Sequence, residues 1–61
     1  MPKFLFPSRV LAATYTEAQE LIIVLILARG LTPTEVPRPY LCPVQHDAEK
    51  GWYEAYTAVE G

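Results

Sequence analysis

A chain of 61 residues, 51% hydrophobic and 20% charged, has the make-up of one small globular domain, which excludes a disordered tail and a multidomain assembly. Its net charge of −2, with five scattered basic residues, excludes both the basic stripe of a phosphate-backbone binder and the dense carboxylates of a nucleic-acid mimic. One cysteine excludes an intrachain disulfide.

Size then sets the central constraint. A domain of about 60 residues buries only about 60% of its unfolded-chain surface. Its core rarely nets more than about 3–5 kcal/mol, so folds of this size lean on a staple or a partner. With no disulfide available, association is the remaining route.

Residues 3–6 (KFLF) are apolar enough for a short strand, and Pro7-Ser8 predicts a bend. Residues 9–15 fit either a strand or a helix, and β-favouring Thr14-Tyr15-Thr16 tilts the reading to strand. The start of this chain does not read as a secretory signal, because Pro7, Ser8 and Arg9 interrupt the apolar stretch at once.

A helix is expected over residues 17–29. Thr16 has the character of an N-cap, with Gln19 three residues on as in a capping box. Glu17 and Glu20 suit the positive end of the helix dipole and Arg29 the negative end. Gly30 stands where a left-handed C′ residue belongs, with Leu31 behind it. The middle, Leu21 to Ala28, is apolar without interruption. At eight residues it is far short of the roughly 20 a membrane span requires. A soluble cytoplasmic protein is therefore expected.

A helix greasy on every side demands cover on every side. On a helical wheel Ala18, Leu21, Val24, Leu25 and Ala28 share one arc, whose alanines allow close approach to the protein's own sheet. Ile23, Ile26 and Leu27, with Ile22 on the flank, form the opposite arc and the expected contact surface for a partner.

Thr32-Pro33-Thr34-Glu35 has the form of a second helix start, which Pro37 and Pro39 limit to one turn. Residues 16–36 resemble the first two helices of the helix-turn-helix in LuxR-type transcription regulators, with Thr16, Gln19, Leu25, Ala28, Gly30, Leu31, Thr32, Glu35 and Val36 at matching places. The resemblance implies a DNA-reading helix next, yet prolines follow and no basic third helix does.

Tyr40 to Val44 reads as an edge strand because of Pro43, residues 45–51 as a hairpin loop, and Trp52 to Val59 as a second strand. Tyr53, Ala55, Thr57 and Val59 then face the helix. Trp52, Glu54, Tyr56 and Ala58 face away, joined by Tyr40 or Phe4. The fragment from Tyr40 to His46 resembles half of a zinc-ribbon knuckle, but Gln45 stands in place of its second cysteine, and Cys42 with His46 cannot close a tetrahedral site alone. His46-Asp47 lacks the orienting group and nucleophile of an acid–base site, so neither an enzyme nor a cofactor or metal is expected.

The expected architecture is α+β: one central helix on a small, mainly antiparallel sheet in the order β-α-β-β, with an optional extra N-terminal strand. The expected function is protein binding: a homodimer formed through Ile22, Ile23, Ile26 and Leu27, docking a larger protein through Arg38, Tyr40, Trp52 and Tyr56. The size suits an accessory or inhibitor protein of viral or mobile-element type. The alternative is a DNA-binding module built on the partial helix-turn-helix.

Overall fold

The computed structural model describes residues 2–42 and 51–61. Among them lie one helix and four strands: β1 (Lys3–Leu11), α1 (Tyr15–Ala28), β2 (Thr32–Pro33), β3 (Tyr40–Cys42) and β4 (Trp52–Glu60). The class is the expected one, a single helix packed on an antiparallel sheet. Of the expected hairpin loop over residues 45–51, all but Gly51, and with them His46 and Asp47, lie outside the described residues, as do the last two residues of the expected strand 40–44.

β4 is the centre of the sheet. β1 pairs with it over its full length, from Lys3↔Glu60 to Leu11↔Trp52. Its other edge is shared, with β2 at Thr32↔Glu60 and Pro33↔Val59, and β3 from Tyr40↔Glu54 to Cys42↔Trp52. Thr34 extends the β2 contact, since its N–H and its hydroxyl both donate to the Ala58 carbonyl, at 2.9 and 3.0 Å. β1 and β2 both run antiparallel to β4, so they are parallel to each other with β4 inserted between them.

Two sequence expectations about the N-terminal half are corrected. Pro7 does not bend the chain; it sits inside one nine-residue strand. β1 is an edge, and a residue without an N–H is tolerated where that side faces outward rather than into the ladder. The strand reading of residues 9–15 holds as far as Leu11. Thr14 then becomes the N-cap, with its Oγ1 accepting the Glu17 N–H at 3.1 Å. The T-x-x-E box is thus Thr14 to Glu17, two residues earlier than expected. Gln19, released from the cap, ties the connector to the helix, since its Nε2 donates to the Pro37 carbonyl at 3.0 Å.

The helix ends as its sequence implies. Gly30 adopts φ +76°. Its N–H donates to the Leu27 carbonyl, and the Leu31 N–H reaches back to the Ile26 carbonyl, at 3.0 and 3.2 Å. Those two bonds are the paired closures of a Schellman motif. The chain enters β2 directly afterwards, and no second helix forms over residues 32–36. The helix-turn-helix resemblance therefore stops at the glycine turn, because Thr32 to Thr34 find better partners on the edge of β4 than one proline-limited helical turn provides.

Helix and sheet meet in one small core of Val10, Ala12, Ala18, Ile22, Ile26, Ala55 and Val59, flanked by Phe6, Leu31 and Tyr53. Tyr15, in the first helical turn, meets the Tyr53 ring edge-on at 6.4 Å. The proline-rich connector contributes as well, since Pro37 and Pro39 are both buried.

The phase of the helix differs from the wheel assignment. Ile22 and Ile26 are fully buried beside Ala18, while Leu21, Val24, Leu25 and Leu27 are exposed. The reason lies in the floor beneath. The sheet offers Ser8, Ala55 and Thr57 to the helix, all small and all buried. Between the larger Val10, Val59 and Tyr53, these small residues leave a hollow that side chains from the helix fill, and interiors close-pack. The isoleucines go inward, and the leucines on either flank are left out.

Candidate interaction surfaces

Alternation along β1 and β4 gives the sheet two unlike faces. The helix side carries Phe6, Ser8 and Val10 from β1 with Tyr53, Ala55, Thr57 and Val59 from β4, as expected for β4. The far side carries Lys3, Leu5, Pro7, Arg9 and Leu11 opposite Glu60, Ala58, Tyr56, Glu54 and Trp52 in register. Tyr40 of β3 joins that side beside Glu54. Phe4 does not; its register places it with the helix-side residues, where it remains partly exposed at the end of the sheet.

No described element covers the far face. Leu5, Tyr56 and Tyr40 are 61%, 59% and 50% exposed, and Trp52, Leu11 and Ala58 are half-buried. One polar cluster interrupts it. Arg9 Nη2 lies 3.5 Å from Glu54 Oε2, and the Tyr40 hydroxyl donates to Glu54 Oε1 at 2.7 Å. Pro7, Ser8, Arg9, Glu54 and Tyr56 line a depression of about 170 Å³. Small-molecule pockets usually begin near 300 Å³ and are enclosed, so this open, flat face suits a protein surface better than a compact ligand.

The outer side of the helix is the second apolar surface. Val24 and Leu27 are 60% and 58% exposed, and Leu21 and Leu25 contribute smaller areas. Of the four residues expected there, Leu27 is in place and Ile23 is half-buried. Ile22 and Ile26 are in the core and cannot touch a partner while the monomer stays folded.

Of the expected docking residues, Tyr40, Trp52 and Tyr56 come together on the open sheet face, while Arg38 is exposed in the connector between two buried prolines. The β1 half of that face, Leu5, Pro7 and Arg9, was missed by reasoning from sequence. Its signal was the alternation Leu5-x-Pro7-x-Arg9-x-Leu11, hidden once Pro7 is taken for a bend. Among the described residues no three His, Cys, Asp or Glu side chains gather at a metal-binding distance. Among the same residues no helix is long and apolar enough to cross a membrane. Comparison with known protein families, curated proteins and solved structures finds no match to this chain.

Proposed function

We propose that this chain is a small protein-binding protein, which self-associates and presents its remaining apolar surface to a larger protein. The observation that supports it is the composition of both outer surfaces of a two-layer fold. Leu5, Tyr40 and Tyr56 stand out from the sheet, and Val24 and Leu27 from the helix. Contiguous apolar patches of this kind on so small a body mark interaction surfaces. Tyr and Trp are also the residue types that dominate interface energies. With Ile22 and Ile26 consumed by the core, the helix face is smaller than its sequence promises, and the sheet face becomes the broader of the two.

An accessory or inhibitory role follows from size, since a domain with shallow relief and flat apolar faces works by covering part of another protein. Sedimentation equilibrium from low micromolar to about 500 µM tests self-association across the affinity range of small interfaces. A rise in mass toward the dimer is expected. A monomer throughout, with no apolar-probe binding to either face, refutes the reading.

A further inference from the structure

The strand register places charge on the open face in an ordered way. Both basic residues, Lys3 and Arg9, stand on β1, and both acidic ones, Glu60 and Glu54, stand directly opposite on β4. Between those two charged rows lie Leu5 opposite Ala58 and Pro7 opposite Tyr56. The face is thus basic along one strand, acidic along its neighbour, and apolar in the middle.

The geometry points to a second copy of this chain as the occupant, stacked face to face about a two-fold axis that runs along the strands between β1 and β4. That rotation carries β1 of one copy over β4 of the other while keeping each row level. Lys3 then meets Glu60 of the partner subunit, and Arg9 meets Glu54 of the partner subunit, each twice. The apolar rows interlock by size, with bulky Leu5 over small Ala58 and the Pro7 ring over Tyr56. The alternative axis, across the strands, sets β1 over β1 and brings Arg9 onto Leu5, with no charge pairing. Stacked sheets cross at about 30°, which shifts the charged rows sideways by roughly one strand spacing, within reach of flexible lysine and arginine stems.

The part of the face that stacks, β1 with β4, is about 30 Å long and about 10 Å wide from strand dimensions, at the small end for an interface. Stable dimers usually bury about 800 Å² per partner, so a weak dimer, populated toward the upper end of the concentration range, is the scale implied. This arrangement rests on the self-association proposed above, and it leaves Val24 and Leu27 on the outside of both copies for a different protein.

Complementary charge variants test it. K3E/R9E makes the face wholly acidic and E54K/E60K makes it wholly basic; both remove the Arg9–Glu54 pair, and E54K also removes the acceptor of the Tyr40 hydroxyl. Sedimentation equilibrium is run on each variant alone, on their equimolar mixture and on V24E, with far-UV circular dichroism to confirm the fold. The expected result is at least a tenfold weaker dimer for each charge variant alone, a heterodimer at wild-type strength in the mixture, and an unchanged dimer for V24E. A wild-type dimer whose strength ignores the charge changes but is lost in V24E overturns this arrangement and leaves self-association standing. A wild-type monomer at every concentration overturns both. If the charge variants misfold, Leu5→Arg, at an exposed position outside the core, supplies the same readout.

Discussion

The sharpest test of the packing is a pair of truncations one residue apart on the helix. Ile26 is wholly buried and Leu27 is 58% exposed. Ile26→Ala removes three carbons from the core, worth about 2.4 kcal/mol at about 0.8 kcal/mol for each buried methylene. The cavity left behind adds to that, because the surrounding sheet relaxes only in part, and buried Ile→Ala changes usually cost about 2–5 kcal/mol. A fold this small has about 3–5 kcal/mol of net stability in total, so Ile26→Ala is expected to be largely unfolded at room temperature. Leu27→Ala is expected to stay within about 0.5 kcal/mol of the parent, as exposed substitutions do. Urea denaturation followed by Trp52 fluorescence and far-UV circular dichroism measures both, at a concentration low enough to keep association out of the balance. Equal stability of the two variants, or a larger loss for Leu27→Ala, refutes this phase of the helix.

Four further substitutions address three local devices. Thr14→Ala removes the hydroxyl that accepts the Glu17 N–H and is expected to cost about 1 kcal/mol, whereas Thr16→Ala leaves the urea midpoint nearly unchanged. Gly30→Ala meets no atom within 4 Å, so its cost is the strain of φ +76° alone, about 1 kcal/mol, read as a fall of about 4–8 °C in Tm. Thr57 Oγ1 is buried without a hydrogen-bond partner among the described residues, so Thr57→Val, which keeps the shape, is expected to raise the urea midpoint by the equivalent of about 1 kcal/mol. A lower midpoint for Thr57→Val indicates a partner for that hydroxyl.

Much of the fold was legible in local chemistry. Helix-ending signals act within one or two turns, so Arg29-Gly30-Leu31 identifies the helix end without reference to anything distant. Alternation in β4 is equally local, and it separated Tyr53, Ala55, Thr57 and Val59 from Trp52, Glu54, Tyr56 and Ala58 correctly. The aromatic members of the open face were readable from the same pattern. Thr16 reads as the cap and Pro7 as a bend, and local chemistry alone gives no reason to prefer Thr14 or a continuous strand. Each choice is made by a neighbour in space, the cap by where β1 releases the chain and the proline by its place on a sheet edge.

Local chemistry specifies the inventory: one strongly capped helix, alternating strands, and more apolar surface than a chain of this length can enclose. Which part of that surface turns inward is settled by contacts between distant segments. The helix is apolar on nearly every side, so its own periodicity expresses no preference for one face. The choice falls to Ser8, Ala55 and Thr57, whose small side chains on distant strands make room for Ile22 and Ile26 and turn Val24 and Leu27 outward.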